Sequence, residues 1–499
     1  MKALTRVIVL SLPLLALAGP LLALAGCSVN PATGEQSFTA FMSRADEMEI
    51  GKKEHPKILK GFGGAYADRD LADYVRNIAV ALTQVSEVPD MPYTFTVLNS
   101  DVVNAFALPG GYIYMTRGLL ALADDEAEMV AVLAHELGHV TARHTAQRYS
   151  KAMAANIGLT LLGALGSAAG VPSEFGRLAS YGTQIYLQGF SREQELEADM
   201  LGVRYMSRLG FDPNAAVRFL GKLKAHTKLE AALAGHPEDA ERFNIMSTHP
   251  RTTERIQQAI RLAQVAPVTD PRTGRGDYIA RVDGMLFGDD PKQGVRAGRV
   301  FTHPGMGFRF EVPPGFVMFN SPARVVARGP DDAVIVFDME VPKKAKTFDD
   351  VLLYLTRHWG QGLSLKDVER IEVNGLNGAT GLGRASMREG TRDVRLVAIH
   401  LTRERIFRFA FITPPAATAR LAEDFQRTTY SFRRLSPEEA SALRPLRLRF
   451  VVVEDGDTAA SLAARMPFEK FALEWFETLN GLQRGEPLVV GSVVKTVGY

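Results

Sequence analysis

The chain has one cysteine in 499 residues. No intramolecular disulfide can form, so in an oxidising compartment the fold must be held by its apolar cores. Net charge is nearly absent too: 58 Lys+Arg stand against 56 Asp+Glu, with both signs mixed along the length. There is no basic stripe of the kind nucleic acid requires. No internal repeat is visible, which excludes a helical-repeat array. Histidine is scarce, ten residues in all, so any cluster of them is informative. What the chain does have is 46% hydrophobic residues over a length too great for one core, which predicts roughly two to four globular domains.

The N-terminus reads as an address. MKALTRVIVLSLPLLALAGPLLALAGC has basic Lys2 and Arg6, an apolar run interrupted by Pro13 and Pro20, and small residues leading to the sole cysteine, Cys27. Residues 1–26 are expected to be a secretory signal. Leu24-Ala25-Gly26-Cys27 resembles a bacterial lipobox, which implies lipidation of Cys27, a membrane hold through lipid, and residues 27–50 as a tether. Loss of Lys2 and Arg6 would leave 56 basic residues level with 56 acidic ones, so lipid and not charge would hold the mature chain. Ser28 stands where an Asp would signal inner-membrane retention, so the expected location is the periplasmic side of the outer membrane.

Residues 51–265 are rich in helical periodicity, as in Leu71, Tyr74, Val75, Ile78 and Leu82. The Pro/Gly/Asp-rich APVTDPRTGRGD marks the start of a linker over 266–299. From 300 to 436 the pattern is β-rich with a helical stretch near 348–359, an α+β domain. A small unit over 445–499 closes the chain. The run at 153–171 is nearly long enough to span a bilayer. It contains Asn156, Thr160, Ser167 and four glycines, and is read as a packed helix.

VLAHELGHVTARH, residues 132–144, places three histidines and a glutamate in thirteen residues. The stretch 125–150 reads as one helix, on which His135 and His139 lie about 40° apart and can converge on one ion. Glu136 sits about 100° from His135, within reach of a water on that ion, and His144, about 180° away, faces elsewhere. Zinc asks for a third protein ligand and an open fourth position. In SREQELEADMLG, Glu195 and Asp199 share a predicted helix face, while Glu193 and Glu197 compete on composition alone.

These motifs, with NPATG (30–34), NAFALPGGYIYMTRGLL (104–120) and STHPRTTERI (247–256), resemble the zinc metallopeptidases that include HtpX and the CAAX prenyl proteases, most closely the periplasmic BepA type. The resemblance covers residues from about 30 to 264 and implies a mainly α zincin-like domain with a small β edge. It implies one Zn²⁺ held by His135, His139 and Glu195, with Asp199 orienting a ligand histidine and Glu136 as general base. It also places His249 near the metal, where it can close the fourth position or, once displaced, stabilise an oxyanion. The loop 229–250 would then be a gate. Arg255 is a second candidate for stabilising charge. Tyr112, Ile113 and Tyr114, after the Pro109-Gly110-Gly111 turn, are expected on an exposed strand that aligns an extended peptide, with Ala107 beside them.

Residues 300–436 resemble PsbP-like domains, and the tail resembles a LysM module of βα(α)β order, which implies peptidoglycan as a partner. The resulting expectation is a metalloendopeptidase acting on unfolded or misassembled envelope proteins. The alternative is a peptidoglycan-associated scaffold or chaperone with latent or gated proteolysis. A cell-wall peptide hydrolase is a third reading, resting on the tail alone.

Overall fold

The computed structural model describes residues 27–154, 189–235, 249, 252–265, 268–341, 350–387, 390–402 and 405–499. The signal segment 1–26, the 153–171 run beyond residue 154 and most of the expected gate (236–248 and 250) lie outside the described residues. Among the described residues no helix is long and apolar enough to cross a membrane.

The chain opens with strands β1 (Cys27–Val29) and β2 (Gln36–Phe38), paired antiparallel. Helix α1 (Arg44–Gly61) starts at a capping box in which Ser43 and Asp46 satisfy each other's backbone N–H groups. Helix α2 (Arg69–Gln84) buries the stripe Leu71, Val75, Ala79, Leu82, as its periodicity predicts. Strands β3 (Thr94–Leu98), β4 (Ala105–Leu108) and β5 (Tyr112–Thr116) form a sheet of order β3-β5-β4. The central strand is β5, parallel to β3 and antiparallel to β4. The expected exposed strand is therefore corrected. Ile113 and Tyr114 are buried and only Tyr112 is half-buried, because β5 pairs on both sides and the aromatics pack under α1. Strands β3 and β4, the latter carrying the buried Ala107, are the two ends of the sheet.

A short helix α3 (Arg117–Leu122) leads to α4 (Glu126–Thr141), capped by Asp125, whose carboxylate accepts from the Glu128 N–H. All of α4 except Val140 is buried; a helix apolar on every side belongs in the centre of a domain. Helices α5 (Arg192–Arg208), α6 (Asn214–Leu233), α7 (Thr252–Val265) and α8 (Arg275–Val282) surround it. The single helix expected over 125–150 is interrupted: α4 stops at Thr141, Arg143 takes a left-handed conformation (φ 57°), and helix resumes at 144. The expected linker 266–299 is also corrected, since α8 packs into the core around α4. Tyr278 is fully buried with its hydroxyl donating to the Leu120 carbonyl at 2.5 Å, and Val282 and Met285 join the same core.

Beyond it lie a four-stranded and a seven-stranded antiparallel sheet spanning 295–434. They enclose a phenylalanine-rich core that includes Phe308, Phe310, Phe337, Phe407, Phe409 and Phe432. Along the strand Gly390–Thr402, Val397, Ile399 and Leu401 face that core while Leu396 and Ala398 face a second cluster under the helical turn at 351–359. This is the period-two alternation of a sheet covered on both faces. The tail runs strand (Arg447–Val452), two helices (Ala459–Ala463 and Ala472–Asn480) and strand (Val493–Gly498), the outer strands pairing antiparallel. It is not detached: Leu448 belongs to the core around α4.

Candidate metal centre

The crossing of α4 and α5 builds the site, and two glycines set its closeness. A Cβ on Gly138 would lie 3.1 Å from the Ala198 carbonyl oxygen, and one on Gly202 would lie 3.1 Å from the His135 nitrogen. Only hydrogen at both positions lets the backbones approach so nearly. The approach delivers Glu195 from α5 to the histidine pair of α4. His135 Nε2 and His139 Nε2 are 3.0 Å apart, and each lies 3.6 Å from an oxygen of Glu195. His249 completes the group, its Nδ1 2.9 Å from Glu195 Oε1. The four offer ligand atoms all within 4.8 Å of one another, and all four residues are buried. It is the one such group among the described residues.

These residues fit a divalent transition ion. Two imidazole Nε2 atoms face each other across a carboxylate, and a set of nitrogens plus one carboxylate oxygen suits zinc. The carboxylates around the pair draw positive charge into the cluster. Burial and the Arg255 guanidinium would lower the His135 ring, but its hydrogen bonds to Asp199 and Glu195 overcome both and hold it at about 9. Burial, followed by the charge on His135, pushes His139 well below its ordinary value. Glu195 stays a carboxylate: against burial, His249 and Arg255 hold it well down.

Glu136 is buried beside the pair. Its Oε1 is 3.4 Å from His249 Nε2, and its Oε2 has no hydrogen-bond partner. Asp199 Oδ1 lies 2.9 Å from His135 Nδ1, on the ring edge away from the cluster. Arg255 is buried and committed to carboxylates: Nε and Nη2 reach Asp199 at 2.8 and 2.7 Å, and Nη1 reaches Glu195 at 2.9 Å. A guanidinium so bound orients Asp199 and Glu195, which differs from the outward stabilising charge expected of it. Glu193, one of the compositional rivals of Glu195, is exposed. Tyr112 and Tyr114 do not join this group; both stack on His55 under α1.

Two features escaped the sequence reading. Phe190 stacks on the His139 ring at 3.9 Å between centroids, and the Arg148 guanidinium lies over the Phe190 ring, 4.5 Å from its centroid; a lone phenylalanine carries no signal. His144, expected to face elsewhere, has its Nδ1 2.8 Å from His139 Nδ1. The break at Arg143 turns it back, and a non-glycine residue in the left-handed region cannot be read from sequence.

Residues 68–263 match the model of Peptidase family M48. The beta-barrel assembly-enhancing protease of Escherichia coli K12 is 32% identical over 226 residues, 44% of this chain and 44% of that protein. The mitochondrial metalloendopeptidase OMA1 of Schizosaccharomyces pombe is 33% identical over 217 residues, 42% of this chain and 60% of that one. The chain thus spans about half the length of the curated relatives it matches. Among solved structures, PsbP from Synechocystis sp. PCC 6803 is 17% identical with a TM-score of 0.23, covering 28% of this chain and 98% of that one. M48 metallopeptidases are zinc enzymes, and the stretch similar to them, residues 68–263, includes the buried His135, His139, Glu195 and His249 group able to hold such a metal.

Proposed function

We propose that this chain is a zinc metalloendopeptidase of the bacterial envelope in which His135, His139 and Glu195 hold the ion and Glu136 is the general base. The observation that carries the reading is the buried convergence of those three ligand groups with an unpartnered carboxylate oxygen of Glu136 beside them. When bound, zinc supplies Lewis acidity that polarises a peptide carbonyl and brings a water's pKa toward neutrality. Glu136 then accepts the water's proton and hands it to the leaving amine. Asp199 holds His135 by its Nδ1, and Arg255 holds Asp199 and Glu195. An extended substrate pairs with β4, an end strand of the three-stranded sheet, which favours unfolded segments over one fixed sequence.

The substrates are misassembled envelope proteins, by similarity to the beta-barrel assembly-enhancing protease. Lipid on Cys27 holds the chain to the periplasmic face of the outer membrane, and the LysM-like tail binds peptidoglycan, the reading supported by its strand-helix-helix-strand order. Casein degradation abolished by a chelator and by Glu136→Gln tests the activity. Pull-down with insoluble peptidoglycan tests the tail, and palmitate labelling lost in Cys27→Ser tests the anchor.

One observation favours gated proteolysis as a second component. His249 lies against both Glu195 and Glu136, between the carboxylate proposed as ligand and the one proposed as base. His249 holds the resting enzyme closed.

A further inference from the structure

The NPATG motif, Asn30 to Gly34, has no part in the chemistry above, yet it ends one hydrogen-bonded chain that begins at a metal-ligand candidate. His139 directs Nε2 into the cluster, so a neutral ring carries its proton on Nδ1 and donates to His144 Nδ1 at 2.8 Å. His144 must then carry its own proton on Nε2, which donates to Glu197 Oε2 at 3.1 Å. The other oxygen, Glu197 Oε1, accepts from Asn30 Nδ2 at 2.6 Å. Every link has one consistent direction and no histidine in it needs a charge. Asn30 is buried, and its own Oδ1 accepts from the Ala32 N–H at 2.9 Å, which fixes the amide's orientation.

A second tie from the same segment reaches the same turn. His144 meets His139 only because Arg143 sits at φ 57°, a conformation that is unfavourable by about 1–2 kcal/mol for a residue with a Cβ. The Arg143 guanidinium is held by the Ser28 hydroxyl at 3.2 Å, the Met42 carbonyl at 2.9 Å and Glu47 Oε2 at 3.2 Å. Two sets of contacts, starting at Ser28 and Asn30, thus secure the residue behind His139.

We propose that the segment directly after Cys27, residues 28–47, is a working part of the metal centre. Through Asn30 and Arg143 it holds Glu197 and His144 as positioning residues for His139. Displacing that segment, whether by tension on its anchor or by a partner that takes it up, loosens the ion. This rests on the reading of His135, His139 and Glu195 as the zinc site.

The test is zinc competition against a chromophoric chelator with the full chain. Outer hydrogen-bond partners of a ligand histidine typically change metal affinity by about 10–100-fold. Glu197→Gln is expected to fall in that range, Asn30→Ala at its lower end, and the double variant to lose no more than Glu197→Gln alone, since both act on one chain of contacts. The visible spectrum of the cobalt-loaded variants should shift, while urea unfolding of the metal-free forms stays at parental values. A merely structural role gives the reverse: unfolding moves and zinc affinity does not. If Asn30→Ala fails to fold, Asn30→Asp keeps the size and the acceptor to Ala32 but sets a carboxylate against Glu197, and must weaken zinc binding. Parental affinity in Glu197→Gln and in a folded Asn30 variant overturns the proposal. A parent chain that binds no zinc overturns the site reading itself.

Discussion

Glu136 has a buried oxygen, Oε2, with no hydrogen-bond partner, and its replacement by glutamine removes the proton acceptor with little change of shape. Glu136→Gln should retain zinc and lose about 10²–10⁴-fold in kcat on casein; parental turnover by metal-loaded Glu136→Gln would sink the base assignment. His249→Ala removes an imidazole lying against both Glu136 and Glu195 and should raise casein turnover; an unchanged rate would remove the gate. At this scale much of the site was legible in the sequence. HELGH names its own pair because residues four apart share a helix face, and the ExxAD spacing, by resemblance, singled out Glu195 from Glu193 and Glu197. His144 stays outside the metal pair as expected but meets His139 from behind instead of facing away, because Arg143 interrupts the helix along which the angle is counted.

The elements add what single residues cannot. Helices α4 and α5 meet through Gly138 and Gly202, and the meeting is what gives the histidine pair its carboxylate. Gly202→Ala gains up to about 1 kcal/mol in helix propensity. It also drives a Cβ to 3.1 Å from the His135 backbone, where overpacking costs about 1–3 kcal/mol. The expected net result is a lower urea midpoint and weaker zinc binding, both measured on the full chain; a variant at least as stable, with parental zinc affinity, would contradict it. Periodicity located α2 and the apolar body of α4, since one buried face leaves a repeat of 3.6. It could not order the sheet. Tyr112 to Tyr114 alternate as any strand does, and only pairing on both sides makes β5 central and leaves β4 at the edge.

On the scale of the whole molecule, the tail is keyed into the segment that precedes α4. Lys495 is fully buried and donates to the carbonyls of Ala121, Leu122 and Ala123 at 3.1, 2.8 and 3.0 Å, with Asp124 at 2.8 Å; Asp124 also pairs with Lys222. Removing Lys495 takes the ammonium from three carbonyls and leaves Asp124 to Lys222 alone, so Lys495→Ala should cost about 3 kcal/mol in urea unfolding; a loss within error would mean the tail docks by its apolar contacts alone. Burial would raise Asp124, but Lys495 and Lys222 outweigh it and hold the carboxyl at about 2, against an ordinary 3.8. Between those values the unfolded chain binds a proton that the folded chain does not. The stabilisation is therefore complete above about pH 4 and is lost as pH falls toward 2. Thermal scans should show Asp124→Asn melting below the parent at pH 6, with the gap closing toward pH 2; a gap that stays constant would refute the linkage. By itself the sequence determined the histidine pair, the glutamate proposed as base and the alternation of the β-rich region, because each depends on spacing within one element. Which strand is central and how Asn30 and Lys495 reach the site's surroundings were decided by tertiary structure, because the Asn30–Glu197 and Lys495–Ala121 contacts join residues 167 and 374 positions apart, where no local periodicity connects them.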